Sequence, residues 1–384
     1  MDTVRGGSRA RGLITVLTAL AAALLLAACG SDLGGGGNEG EVTTAEATGT
    51  VGGELVISQW PFYIDRNTIP EFEKQDGVKV DYIEDVNDNN EIFAKLRPDL
   101  QNGESADRSI IVVSDWMARK MYDLGYLQNL DKDAIPTVNE NMLDSLKSTS
   151  IDPDRSYTVP WQSGLTGLVV NTKEAPDVTS INDIFDPKYK GKVTVLTELR
   201  DTVPMILQGN GISPDDATTQ DWIDAIDQLD EAVKSGQIRK LTGNDYTDDI
   251  ARGDAVIALG WSGDAVQLQA DNPDIEFVKP EDGCLLWSDN MVIPIGAPNP
   301  DAAYAFMNYV YDPANQTQIA EYNSYITPVK GVQEIFRKET PELAESELIF
   351  PTEEYTADCS TIDNPPAEGV QEVEDRWQQL ISGG

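Results

Sequence analysis

The sequence predicts an α/β chain of two lobes, each a mainly parallel sheet flanked by helices. Two observations carry that expectation. From residue 53 onward, short apolar stretches alternate with amphipathic helical patterns, the rhythm of βαβ units that build parallel sheets covered on both faces. The roughly 330 residues after the N-terminal region also exceed what one hydrophobic core usually holds. Chain crossings expected near residues 165 and 290 would join the lobes and leave a cleft at the carboxyl ends of their strands. Open α/β sheets bind ligands there.

Residues 1–28 read as an address. Arg5, Arg9 and Arg11 precede the apolar run "GLITVLTALAAALLLAA", which is marginal for a permanent span and has the form of a signal peptide. The run ends in "LAAC", similar to a bacterial lipobox, so Cys29 is expected to be diacylated and to become the mature N-terminus. The plainer alternative is an ordinary signal peptide followed by a chance cysteine. Residues 29–52, rich in Gly, Thr and Glu, read as a flexible tether. No second run of membrane-spanning length follows, which places the rest outside the cytoplasm.

The folded part then reads in order. "GELVISQW" is a strand, "TIPEFEKQ" a helix and "VKVDYIED" a second strand. "NEIFAKLRPDLQNG" is a helix with Ile92, Leu96 and Leu100 on one face. "RSIIVVSDW" is a buried strand, with Asp115 placed to cap the next helix. After "YTVPWQSGLTGLVVN" come the strand "KVTVLTE", the helix "DWIDAIDQLDEAVKSG" ending at Gly236, and "DAVIALGWSGDAV" as strand, Gly turn and helix. "IEFVKP" is another strand. "NMVIP" and the helix "PDAAYAFMNYVYD" look like a return to the first lobe, and "EGVQEVEDRWQQLI" closes the chain. The expected division is 53–165 plus 288–328 for lobe 1 and 166–287 plus 329–384 for lobe 2.

Composition narrows the chemistry. Removing residues 1–28 takes three Arg and one Asp from 28 basic and 66 acidic residues, leaving a net charge of −40. A nucleic-acid partner is disfavoured, because phosphate binding needs a basic footprint. Cationic ligands would be steered in at low salt, although most of the carboxylates serve solubility. The chain has no histidine, which excludes Ser-His-Asp and Cys-His catalysis and His-ligated metals. No Walker A loop and no G-x-G-x-x-G opening a helix is present, so neither cofactor nor metal is expected. With Cys29 committed to lipid, Cys284 and Cys359 are expected to form a disulfide, the alternative being two buried thiols.

Aromatic and acidic residues recur at the predicted carboxyl-terminal strand ends. Trp60 and Tyr63 follow the first strand, and Ser114, Asp115 and Trp116 the third. Glu198 and Asp201 follow "VTVL", and Trp261 follows "VIALG". In "CLLWSDNMVIP", Trp287 and Asp289 stand two apart, so an extended backbone turns both to one face. Singly each has a plain reading: interdomain packing for Trp60, Trp116 and Trp261, a helix N-cap and first-turn acid for Glu198 and Asp201. Together, aromatic walls and separated carboxylates suit a ligand that alternates ammonium groups with methylenes, although sugars also stack on Trp. Each ammonium would gain about 0.5–2 kcal/mol from a ring face.

From about residue 53 to 381 the chain resembles the polyamine (spermidine/putrescine) substrate-binding proteins of bacterial ABC importers, here in lipoprotein form. The segments that carry the resemblance, in the family's order, are "SQWPFYIDRNTIPEFEKQDGVKVDY", "NNEIFAKL", "YTVPWQSGLTGLVVN", "FDPKYKGKVTVLTELRD", "ALGWSGDAV" and "CLLWSDNMVIP". It implies a two-lobed periplasmic-binding-protein fold, type II-like, that closes on its ligand and docks to a permease. It implies pocket roles for Trp60, Tyr63, Ser114, Trp261, Trp287, Asp289 and Tyr325, and for Trp116 where the family usually has Tyr. Glu198 and Asp201 match the family's two acids only if "LTELRDTV" is shifted; an ungapped alignment would put Leu199 and Thr202 there. The glutamine that many members place near the C-terminus has no clear match around "TADCSTID".

The expected protein is a monomeric, non-enzymatic lipoprotein that takes a polyamine from outside the cell to an ABC importer. Alternatives are a receptor for another small organic cation or a carbohydrate, and a two-carboxylate hydrolase. A purely structural lipoprotein would leave the cleft-side clustering unexplained.

Overall fold

The computed structural model describes residues 42–361 and 365–383. The leader peptide and Cys29 lie outside them. After β1 (Thr44–Ala45), the chain alternates β2 (Gly53–Gln59), α1 (Thr68–Asp76), β3 (Val78–Glu84), α2 (Asn89–Leu100), β4 (Ile110–Ser114) and α3 (Asp115–Asp123). β5 (Asn129–Leu130) and α4 (Pro136–Asn141) lead to the long β6 (Val159–Asn171). Then come β7 (Val193–Leu196), α5 (Leu199–Gly209), α6 (Thr219–Lys234), β8 (Ile238–Thr242), α7 (Tyr246–Arg252), β9 (Ile257–Trp261) and α8 (Ser262–Asp271). β10 (Ile275–Val278), β11 (Cys284–Val292), α9 (Pro300–Val310), α10 (Pro313–Asn323), α11 (Val332–Glu339), α12 (Pro341–Ala344), β12 (Cys359–Thr361) and α13 (Val370–Gly383) complete the described chain.

Local chemistry sets these boundaries. α1 stops at Gly77, which takes the left-handed conformation (φ 68°) open to glycine. The Asp88 side chain accepts from the N–H groups of Asn90 and Glu91 and starts α2, whose Ile92, Leu96 and Leu100 are buried. Thr218 and Asp221 form a reciprocal capping box on α6. Asp115, expected as a cap, is instead the first residue of α3. Ser114 holds the cap position, and the Asp115 carboxylate is engaged by Asn290 (2.6 Å) from β11. The expected Gly turn after "VIALG" is also absent, since β9 runs into α8 with no intervening residue.

Apart from β1 and β5, which pair separately, the described strands form one sheet in the order β3-β2-β4-β11-β6-β9-β7-β8, with β10 added to β6 and β12 to β11. β3, β2 and β4 are mutually parallel, as are β9, β7 and β8. Between these flanks, β11 and β6 run antiparallel to each other and to their outer neighbours. The stretches expected as crossings are therefore these two strands, and the sheet is continuous through them. Thirteen residues let β6 pair with β11 over its first half and with β9 and β10 over its second.

The segment read in sequence as the end of a free tether is held in place from Thr44 on. β1 pairs in parallel with β5, and Asp301 in the first turn of α9 accepts from the N–H groups of Thr48 (3.0 Å) and Gly49 (2.8 Å). Cys284 and Cys359 open β11 and β12, stand opposite each other with Cα atoms 4.3 Å apart, and are joined by a disulfide. Gln208 of α5 adds bonds to the Cys284 carbonyl and the Ser360 hydroxyl, both 3.2 Å, so helix, strand and staple move as one. The bridge spans a separation of 75 residues. Replacing both cysteines by serine is expected to cost about 2–4 kcal/mol of stability in denaturant titration. Alkylation of two thiols in the native, unreduced protein would contradict the bridge.

Candidate functional site

The carboxyl ends of the parallel strands and the N-termini of the helices that follow them converge on one narrow cavity. It holds about 430 Å³ of non-atom space, part of it open to solvent. All ten residues expected from sequence to face a ligand line it: Trp60 and Tyr63 after β2, Ser114 and Trp116 at the β4–α3 junction, Glu198 and Asp201 at the start of α5. Trp261 ends β9, Trp287 and Asp289 lie on β11, and Tyr325 follows α10. Asn89, Asn244 and Asp264 also line it and were not singled out in the sequence.

Five rings form one wall in succession. Trp60 meets Trp261 edge-on with centroids 5.5 Å apart, Trp261 meets Trp287 at 6.3 Å, Trp287 meets Tyr325 at 5.6 Å, and Tyr325 meets Tyr63 at 4.9 Å. Edge-to-face contacts of this kind hold rings rigidly at about 0.5–1.5 kcal/mol each. Backbone glycines make room for them. A Cβ at Gly164 of β6 would stand 2.5 Å from Trp287, and one at Gly263 of α8 would stand 2.4 Å from Tyr325. Trp116 stacks under the Arg200 guanidinium, 3.9 Å from its ring, and Arg200 in turn pairs with Glu374 of α13 at 3.1 Å.

Four carboxylates share the cavity, and among the described residues no lysine or arginine lines it. Asp289 receives hydrogen bonds from the hydroxyls of Tyr63 (2.8 Å) and Ser114 (2.7 Å). Glu198 accepts at Oε1 from the backbone and side-chain nitrogens of Asn89 (2.6 and 2.9 Å), while its buried Oε2 has no partner among the described residues. Asn89 also donates to Ser114 (3.1 Å), which links the Glu198 and Asp289 positions through one amide and one hydroxyl. Asp201 accepts from the Thr166 hydroxyl and from Trp261 Nε1 (3.2 Å). Asp264 takes three bonds of 2.8 Å, from Asn244, Tyr246 and Tyr325.

Glu198 does sit at an N-cap position and Asp201 in a first turn, as the plain reading of the sequence allowed. Neither carboxylate caps the helix: Glu198 makes no side-chain cap bond, and both turn to partners across the cavity. Asp264 repeats that placement in the first turn of α8, inside the segment "GWSGDAV" chosen for its tryptophan. That shared grammar of strand-end aromatic and first-turn acid was the available signal for it. Asn244 lies in a loop with no comparable pattern.

Burial disfavours all four charges. It is the largest cause in each case, lifting Asp289 to about 7 and both Asp201 and Asp264 to about 6, against an ordinary value of about 4. Glu198 is raised well above its usual range by burial and then by the charges of Asp88 and Asp201. The hydroxyl, amide and indole donors pull each carboxyl the other way, incompletely. The grouping of Asp358 with Cys284 and Cys359 offers no thiolate to a metal, because both sulfurs are spent in the disulfide.

These raised values fix how stability depends on pH. Between about pH 4 and 7 the native protein retains protons that the unfolded chain has released, so stability falls as pH rises. The ligand-free melting temperature is expected to drop steadily across that window. Asp289→Asn, which removes one titrating group, should flatten the drop. Equal slopes in the two proteins would contradict the assignment.

Comparison with known proteins places this geometry. The chain is 25% identical to the spermidine/putrescine-binding periplasmic protein of Escherichia coli (strain K12), over 86% of this chain and 92% of that protein. It is 26% identical to the putrescine-binding periplasmic protein PotF of the same organism, over 88% and 95%. Among solved structures, the spermidine/putrescine ABC transporter substrate-binding protein PotD of Streptococcus pneumoniae superposes with a TM-score of 0.68 at 26% identity, covering 85% of this chain and 98% of that one. The fold is thus the mixed α/β architecture of periplasmic binding proteins. No helix among the described residues is long and apolar enough to cross a membrane. The family model for bacterial extracellular solute-binding proteins matches residues 67–351, and the chain belongs to that family.

Proposed function

We propose that this solute-binding protein captures a small polyamine of the putrescine/spermidine class and delivers it to the permease of an ABC importer. The observation that carries this reading is the cavity in which four buried carboxylates and a run of aromatic rings meet, with no cationic side chain among the described residues that line it. Buried like charges without a counter-ion are costly. A ligand bearing two or three ammonium groups supplies the missing charges, and its methylenes lie along Trp and Tyr faces. The names of the relatives at 25–26% identity support the same ligand class.

In this reading Asp289 is the principal ammonium partner, Glu198, Asp201 and Asp264 receive the remaining positive charge, and Trp60, Trp261, Trp287, Tyr63 and Tyr325 form the walls. Ser114 orients Asp289, and Trp116 closes one side. Residues 53–165 with 288–328 act as lobe 1, and 166–287 with 329–384 as lobe 2. β6 and β11 serve as the crossings about which they close. The ligand favours the closed state by its higher affinity for it, and the permease reads that state. No covalent step is involved, and the protein works as a monomer anchored through lipid on Cys29.

A carbohydrate would also stack on the tryptophans, but it brings no positive charge and gives the carboxyls no reason to release protons. A polyamine, by contrast, should expel protons as it binds near neutral pH, and acidification toward pH 5 should weaken it. Calorimetry of putrescine, spermidine, spermine and a sugar panel in two buffers of different ionisation enthalpy separates these cases. Saturable polyamine binding with proton release is expected. Tight sugar binding with no polyamine response, or turnover of an oligosaccharide, would defeat the proposal. Asp289→Asn should weaken polyamine binding at least about tenfold, since removing one partner of a buried charge pair costs about 2–5 kcal/mol. An unchanged dissociation constant would remove Asp289 from its role.

A further inference from the structure

Behind Asp289, outside the cavity lining, lies a buried polar cluster that the ligand reading does not use. Asp289 and Asn290 are consecutive on β11, so their side chains leave opposite faces of the strand. Each has a partner at the β4–α3 junction: Ser114 donates to Asp289 at 2.7 Å, and Asn290 Nδ2 donates to Asp115 Oδ1 at 2.6 Å. The pairing of β11 with β6 is irregular at this step. Asp289 faces Gln162 while Asn290 faces Pro160, so on the β6 side the ladder is broken at this step and the regular pairing with β4 alone carries it.

Arg155 supplies the third member. It stands just before β6 in the left-handed conformation (φ 50°), is almost fully buried, and donates from Nη1 to Asn290 Oδ1 (3.1 Å) and to the Thr158 hydroxyl (2.9 Å). Its Nε donates to the Leu146 carbonyl at 2.6 Å. A guanidinium can only donate, and an amide has one accepting end. Arg155 therefore turns the Asn290 oxygen toward itself and leaves the amide nitrogen for Asp115. Without it Asp115 still holds the amide nitrogen, but the Asn290 oxygen loses its Arg155 donor and the link from β11 to the segment before β6 is broken.

We infer that Arg155 is a positioning residue for Asp289, acting through Asn290 and Asp115 without touching the ligand. The inference rests on the reading of Asp289 as an ammonium partner. Charge acts in the same sense as geometry. Asp289 faces the hydroxyls of Tyr63 and Ser114 and feels the negative charges of Asp115 and Asp201. Asp115 faces the Asn290 amide, the charge of Arg155, and the opposing charge of Asp152. Arg155 favours the ionised form of Asp115, whose charge is one of those acting on Asp289, so the two sites are linked electrostatically as well as through Asn290.

The test compares wild type, Arg155→Met and Asn290→Ala, in the full chain, by two readouts. The first is putrescine and spermidine affinity at pH 7.5. The second, which needs no ligand, is the pH titration of tryptophan fluorescence, with the Asp289 step identified by its loss in Asp289→Asn. Arg155→Met is expected to weaken affinity about tenfold, within the range seen for residues coupled through one hydrogen-bond network. It should also shift the Asp289 midpoint from its wild-type position. Asn290→Ala should lower affinity in the same direction, and it carries the test if Arg155→Met does not fold. A variant with a lowered melting temperature but unchanged affinity and midpoint would show Arg155 to be structural only and overturn the inference. If wild type binds neither amine, the ligand reading fails separately, and the midpoint comparison still decides whether Arg155 positions Asp289.

Discussion

Asp289 lies between the hydroxyls of Tyr63 and Ser114, buried, in a cavity that no lysine or arginine among the described residues lines, and much of the binding half of this protein can be understood as the means of keeping it there. A carboxylate removed from water must be protonated, paired or richly hydrogen-bonded. The fold supplies hydrogen bonds to Asp289, Asp201, Asp264 and Glu198 but, among the described residues, no positive side chain in the cavity lining. That leaves the cavity electrostatically incomplete, which is what a receptor for a cation requires. Full internal compensation would give a more stable protein with less to gain from a ligand.

The scaffold meets that requirement with few devices. Parallel strands end at the cavity, and the helices that follow start there, so their N-terminal dipoles offset part of the cost of the nearby acids. Two of the aromatic walls need a glycine backbone behind them, at Gly164 and Gly263. β11 pairs with one parallel flank through β4 and β6 with the other through β9, and β11 carries Trp287 and Asp289 where its outer pairing changes from β12 to β4. The disulfide and Gln208 fasten the start of that strand to β12 and to α5, which bears Asp201 and follows Glu198. The elements that present the acids are thus tied to each other as well as to the sheet.

Parts of the site were legible before any coordinates. The i, i+2 spacing of Trp287 and Asp289 needs only an extended backbone, and β11 is extended there. The βαβ rhythm of residues 53–123 produced the observed elements, because apolar runs and caps such as Asp88 act locally. Asp264 escaped notice because a first-turn acid on a helix has a sufficient local explanation. Only its three partners, two from the 244–246 segment and one from Tyr325, show it turned to the cavity. The end of the supposed tether was misread for a similar reason: β1 is two residues long, and its pairing with β5 and the reach of Asp301 are invisible to periodicity.

By itself the sequence determined the alternation of strands and helices, the absence of histidine chemistry, and the acid and aromatic content of the strand ends, since these follow from composition and from spacing along a few residues. The tertiary structure alone decided that one sheet runs through both halves, that Glu198, Asp201, Asp264 and Asp289 face a single space, and that Arg155 reaches Asn290 across 135 positions. Strand order and register bring those groups together, and both are set by which long-range pairings bury the most apolar surface, a property of the whole chain rather than of any segment.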